Sequence, residues 1–181
     1  FFNKNRSDNE AAKAIPLEPL KFQYKDYTLW HNSLIAGGYF DQYKDYWLGK
    51  FKDKPNGIEL PLDHPRGAVQ TFNGGRVYYK IEEKEAAILR DLSEGEKTTL
   101  FMKLMTLLGI LLHKYSGEKD IILGSPIANR KQPELHHMIG FLVNTLVYRM
   151  QVEPRESFQQ LLTKVKEETL SCFENQDYTF D

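Results

Sequence analysis

The chain has one cysteine, Cys172, in 181 residues. That scarcity excludes an internal disulfide and any zinc site built on a cysteine cluster, and it fits a reducing compartment. No N-terminal signal pattern is present. The longest apolar stretch, Leu100 to Leu112, carries Lys103 and falls short of the ~20 residues a membrane span needs. The expectation is a soluble, cytoplasmic protein. Excess charge of either sign is also missing: 24 Lys and Arg stand against 25 Asp and Glu. No basic footprint therefore recommends nucleic acid or an anionic membrane as partner. The catalytic signatures that a short motif can carry, a GxSxG elbow, an HExxH pair or a Walker loop, do not occur. What is present is a globular composition, 41% apolar, which suffices for a packed core.

Residues 1–22 mix Asn, Lys and Glu with Pro16 and Pro19 and read as a linker or loop. From Gln23 the pattern becomes helical: Tyr24, Tyr27, Trp30 and Leu34 recur at three or four residue spacing, as do Tyr39, Tyr43, Tyr46, Trp47 and Phe51 after the Gly37-Gly38 break. Rings at this spacing serve a core more often than a ligand-stacking surface, and Asp26 and Asp45 beside them read as solvated or capping carboxylates. The proline-rich Leu60 to Arg66 segment should be an extended connection. Asn73-Gly74 before the alternating Val77, Tyr79 and Ile81 predicts a hairpin. A charged helix follows over Glu82 to Leu92, then a turn over Ser93 to Lys97. Thr98 is placed to cap an apolar, central helix over Leu100 to Tyr115, whose polar positions Lys103, Thr106 and His113 share one narrow stripe. Gly117 is placed to stop it, and His113 suits a helix C-terminus electrostatically.

Gly124 to Arg149 organises the rest. Its apolar runs, Ile121 to Ile127 and Phe141 to Val147, predict two buried strands joined by a brief helical crossover that Pro133 opens. Ser125, Asn129, Asn144 and Thr145 lie at or beside the strand ends, where sites are built. His136 and His137 are adjacent, face different directions and are too close in sequence for a two-ligand metal site. Ser157 and Gln160 form a capping box for a last helix with Phe158, Leu161, Leu162, Val165, Thr169, Cys172 and Phe173 on one face. On that face Cys172 reads as a buried, inert thiol. These observations define an α/β domain with a polar cluster at its strand ends.

Three stretches, in order, resemble the boxes of the condensation domains of non-ribosomal peptide synthetases. YKDYTLW at Tyr24 to Trp30 resembles Tyr-x-Asp-(Phe/Tyr)-Ala-x-Trp, with Thr28 for alanine. IGFLVNTLVYR at Ile139 to Arg149 resembles Ile-Gly-x-Phe-Val-Asn-Thr-x-x-x-Arg, with Leu142 for phenylalanine. NQDYTFD at Asn175 to Asp181 resembles (His/Asn)-Gln-Asp-x-Pro-Phe-Glu, with Thr179 for proline and Asp181 for glutamate. The Glu59 to Gly67 segment and the run from Leu100 to Arg130 are similar to the family as well.

The resemblance implies a chloramphenicol-acetyltransferase-like lobe, a mixed sheet packed by helices and incomplete at both ends, with residues 23–181 forming the second-lobe part of a condensation domain. A start at Phe1 and an end within the third box fit that expectation. The family joins a donor acyl thioester to an acceptor amine in a tunnel entered by phosphopantetheine arms. It implies carrier-protein domains and an adenylation domain of the same synthetase as partners, no directly bound cofactor or metal, and a monomer. The family's catalytic HHxxxDG box is expected upstream of this chain; His136-His137 lacks the Asp-Gly. Asn144 and Ser125 are the residues expected at the tunnel. Arg149 is expected to be a structural pairing partner. Tyr24 and Gly140 belong to the motif framework, and Asp26, Tyr27, Trp30, Gln176 and Asp177 are expected to hold the lobes in place. The VNTLVYR box resembles the condensation type rather than epimerising or heterocyclising relatives. A non-catalytic module that docks carrier domains or a tailoring enzyme is the alternative.

Overall fold

A computed structural model describes residues 19–69, 71–92 and 97–178. The expected linker up to residue 18, most of the turn over Ser93 to Lys97, and Thr179 to Asp181 of the third box lie outside the described residues. The elements are α1 (Tyr24–Ala36), α2 (Asp41–Lys50), α3 (Glu83–Asp91), α4 (Leu100–Ser116), β1 (Asp120–Ile127), a 3-10 turn (Pro133–Leu135), β2 (Asn144–Gln151) and α5 (Phe158–Glu174). They fall into two compact units.

The first unit holds residues 19–39 and Arg130–Leu142. Asp26 turns back on its own helix start, its carboxylate accepting the Gln23 N–H at 2.8 Å, so it is a capping carboxylate as its position suggested. The rings of Tyr24, Tyr27 and Trp30 follow one another along α1 with centroids 6.1 and 5.8 Å apart. Tyr27 packs on a small core of Leu135, Met138 and Leu142. The Arg130 guanidinium donates to three carbonyls of this segment: Leu135, Met138 at 2.8 Å and Gly140 at 3.3 Å. That cradle corrects the second apolar run. Ile139 to Val143 is irregular, Phe141 is 78% exposed, and the strand begins only at Asn144.

In the second unit, residues 40–129 and 143–178, β1 and β2 pair antiparallel from Asp120 opposite Gln151 to Ile127 opposite Asn144. The expected crossover is therefore corrected: a single 3-10 turn stands where a crossover helix would be, and the chain doubles back. Of the mixed sheet expected, the described residues hold this one antiparallel pair. One face of it carries Ile121 and Leu123 with Leu146, Tyr148 and Met150, packed with Met105 of α4 and Leu161, Val165 and Cys172 of α5.

Thr99, not Thr98, caps α4, its hydroxyl accepting the Met102 N–H at 3.3 Å. Gly117 closes the helix at φ 75°, the left-handed geometry that glycine takes without strain. The polar stripe of α4 faces inward: Lys103 is 6% exposed and Thr106 fully buried, while Leu100, Leu104, Leu108 and Leu111 are exposed. Lys103 is tolerated there because its ammonium donates to the Arg90 carbonyl at the end of α3, and Thr106 donates to Met102 O at 2.8 Å. The predicted hairpin is absent from the described residues. Val77 is 98% exposed, and the alternating residues have no neighbouring strand to pack against. No described helix is long and apolar enough to cross a membrane.

Candidate functional site

The β1–β2 register sets Ser125 opposite Leu146 and Asn144 opposite Ile127. Because side chains alternate along a strand, Ser125 and Asn144 share the face that carries Ile121, Leu146 and Tyr148, one diagonal step apart. Asn144 is buried, and its amide is heavily engaged. Nδ2 donates to the carbonyls of Gln176 at 2.9 Å and Tyr178 at 3.2 Å, and Oδ1 accepts the Thr145 N–H at 2.8 Å. Two donors and one acceptor position are spent, which leaves one lone pair on Oδ1. The structure thus brings the second and third sequence boxes together at the start of β2. Gln176 turns back in the same way, its Nε2 donating to Phe173 O at 2.6 Å, and Trp47 Nε1 donates to Asn175 O at 2.9 Å. Asp177 lies half-buried in this turn. The half-buried Ser125 hydroxyl has no hydrogen-bond partner among the described residues.

Arg149 lies on the opposite face. Its fork takes Asp120 through Nε at 2.9 Å and Nη2 at 2.5 Å, Asp53 through Nη1 at 2.7 Å and Nη2 at 2.6 Å, and the Lys50 carbonyl at 2.7 Å. These bonds raise the guanidinium pKa further above its already high value, Asp120 first and Asp53 second. In return Arg149 holds the Asp53 carboxyl below the usual range. The arrangement ties the end of α2 and the following turn to both strands.

A second cluster was not legible in the sequence. Lys50 forms an ion pair with Glu168 and donates to Cys172 Sγ at 3.0 Å and to the Tyr46 hydroxyl at 3.2 Å. Burial would lower the Lys50 ammonium pKa, but Glu168 and Cys172 outweigh it and hold it above the ordinary value. Burial pushes the Cys172 thiol up, against the opposing effect of Lys50, which accords with an inert thiol. The one available signal was the spacing of Glu168 and Cys172, four apart on α5 and therefore on one face. Lys50 lies 118 residues before Glu168 in the sequence and gave no such signal.

The remaining motif residues sit in the first unit. The Tyr24 hydroxyl donates to Phe141 O at 3.0 Å, and its ring lies so close over Gly140 that a Cβ there would overlap it. His136 and His137 are exposed, and the His136 ring nitrogen Nε2 is 3.1 Å from Arg130 O. His113 Nδ1 is 2.7 Å from Glu118 O in the turn after α4. No group of three or more His, Cys, Asp or Glu side chains is placed to hold a metal ion among the described residues. A groove of about 370 Å³ runs between β2 and α5, lined by Arg149, Gln151, Leu161, Lys164 and Glu168, at the far end of β2 from Asn144.

Comparison with known proteins gives consistent results. A family model described as the condensation domain matches residues 7–181. Tyrocidine synthase 2 of Brevibacillus parabrevis is 37% identical over 172 residues, 95% of this chain but 5% of that protein. The X-domain in its complex with OxyB from teicoplanin biosynthesis superposes with a TM-score of 0.82 at 20% identity, covering 91% of this chain and 37% of that one. The first condensation domain of the CDA synthetase does so with a TM-score of 0.74 at 18% identity, covering 92% and 36%.

Proposed function

The chain belongs to the condensation-domain family of non-ribosomal peptide synthetases, and from that premise we propose that it forms part of a domain that makes amide bonds between carrier-tethered acyl groups. Its α/β fold is the chloramphenicol-acetyltransferase-like lobe of that family. In the proposed reaction the acceptor amine attacks the donor thioester carbonyl, a C–N bond forms, the C–S bond breaks, and the pantetheine thiol leaves with a proton. That chemistry needs alignment of amine and thioester, a group to accept the amine proton, and donors for the developing oxyanion.

The proton acceptor in this reading is the histidine of an HHxxxDG box outside these residues. This chain contributes a wall. Asn144 joins two family boxes at the start of β2, and Ser125 lies one diagonal step away on the same face. That convergence carries the proposal. Substrates arrive on phosphopantetheine arms of carrier domains, with an adenylation domain in the same synthetase, and the chain binds no cofactor of its own.

The test is amide formation by the synthetase that contains this chain. Ser125→Ala removes no hydrogen bond within the described residues and is expected to raise KM for the carrier-bound acceptor several-fold. Asn144→Ala is expected to lower kcat about tenfold or more, because it releases the Gln176 to Tyr178 turn that fixes this wall. Replacing the second histidine of HHxxxDG is expected to abolish turnover, and the 181 residues alone are expected to have none. Amide formation that survives the histidine replacement sinks the proposal. The fold shared with the X-domain keeps a docking-only module as the second reading. Carrier binding without any amide formation by the intact protein would favour it.

A further inference from the structure

The Arg130 guanidinium is directed at the backbone of one short segment of the first unit, the carbonyls of Leu135, of Met138 at 2.8 Å and of Gly140 at 3.3 Å. The described peptide bonds are trans, and in a trans peptide the N–H points opposite to its carbonyl. Turning these three carbonyls onto Arg130 therefore turns the N–H groups of His136, Ile139 and Phe141 away from it. The first donates to Pro133 O at 3.1 Å. The other two belong to residues that are 89% and 78% exposed, while Met138 and Leu142 beside them are buried in the small core under Tyr27. Tyr24 fixes the far end, its hydroxyl donating to Phe141 O at 3.0 Å.

The Met138, Gly140 and Phe141 carbonyls are thus taken by side chains of the same unit. What the segment turns outward is a pair of donors, each beside a large apolar side chain. Such a surface fits a ligand that brings carbonyl acceptors joined by short apolar links. A β-strand fits it less well, because strand pairing needs acceptors as well as donors along the edge, and three of the carbonyls are occupied. A pantetheine arm has the matching chemistry: two amide carbonyls separated by two methylene groups, with a gem-dimethyl group at one end. Phe141 precedes Asn144 by three residues, and a chain of that length reaches at most about 11 Å, so the donors lie within reach of an arm engaged at Asn144.

We propose that the backbone N–H groups of Ile139 and Phe141 bind the amide carbonyls of a carrier-borne pantetheine arm, with Arg130 as the positioning residue that aims them. The inference rests on the reading of the chain as part of an amide-forming domain, but its test measures binding and not turnover.

The test titrates S-methylpantetheine into the intact chain and follows the backbone amides by NMR. The Ile139 and Phe141 amide protons are expected to move downfield together and to saturate. An oligoethylene glycol thioether of the same length, with ethers in place of amides, is expected to leave them where they are. Phe141→Pro lacks one of the donors and is expected to bind about fivefold or more weaker. Arg130→Ala is expected to lose the response, and added guanidinium ion, well below denaturing concentration, is expected to restore it, which a general loss of folding would not allow. Should either variant fail to fold, the wild-type chain decides alone: equal shifts with both ligands, or none at these two amides with either, overturn the proposal. Protection of both amides from hydrogen exchange in the intact synthetase whose carriers lack pantetheine also overturns it, because another segment would then hold the donors. Binding at these amides in a synthetase that makes no amide bond would support the site and sink the amide-forming reading instead.

Discussion

A guanidinium can do at Arg149 what an ammonium cannot. Its planar fork reaches Asp120, Asp53 and the Lys50 carbonyl at once, whereas lysine offers a point charge on a flexible stem. Arg149→Lys is expected to keep the net charge and still cost about 1–3 kcal/mol of stability through lost charge-assisted bonds. The shift in urea midpoint measures it, and an unchanged midpoint would show that one carboxylate suffices. The family resemblance pointed to Arg149 as a pairing partner. It could not name Asp53, because the pair is separated by 96 positions and exists only once α2 has packed.

Gly140 shows the same interdependence between elements. Its neighbour is the Tyr24 ring of α1, and a methyl group at Gly140 would force that ring away and strain the Tyr24 bond to Phe141 O. Gly140→Ala is expected to destabilise the first unit by about 1–3 kcal/mol. In a double-mutant cycle with Tyr24→Ala the glycine change should become nearly neutral, since the obstructing ring is gone. Strictly additive costs would disprove the clash. Elements such as these were legible where a periodic apolar pattern met its own caps. α1, α2 and α5 fall where ring and leucine spacing put them, and Ser157 and Gln160 make the capping box at 3.2 and 2.8 Å. What the pattern did not contain depends on remote partners. Lys103 on α4 is buried because a carbonyl of α3 receives it, and no pattern along α4 alone contains that information. Val77, Tyr79 and Ile81 alternate like a strand, but alternation supplies only a face and pairing requires a neighbour. The candidate site followed the same rule: sequence put Asn144 and Ser125 at or beside strand ends, while the turn that occupies the Asn144 amide was visible only in three dimensions.

At the scale of the whole molecule, the second unit should weaken in alkali. The buried Tyr148 hydroxyl has no hydrogen-bond partner among the described residues, and burial pushes its pKa up to about 12. Between about pH 10 and about 12 the unfolded chain releases this proton while the folded chain keeps it, so stability falls with rising pH, by roughly 2–3 kcal/mol across that window. Lys50 acts in the same direction, since its raised pKa makes its contribution one that is lost as pH rises through the folded value. Tyr148→Phe is expected to flatten the slope of unfolding free energy between about pH 10 and about 12. An undiminished slope would assign the alkaline loss to the other groups whose folded pKa is raised, Lys50, Tyr46 and Cys172. The chain's one sulfhydryl has a further consequence. Cys172 has no exposed surface and lies beneath Lys50 on the inner side of α5. A thiol-reactive dye can therefore reach it only after that helix has lifted, which makes each labelled molecule the record of one opening and turns the single cysteine into a clock for the breathing of α5.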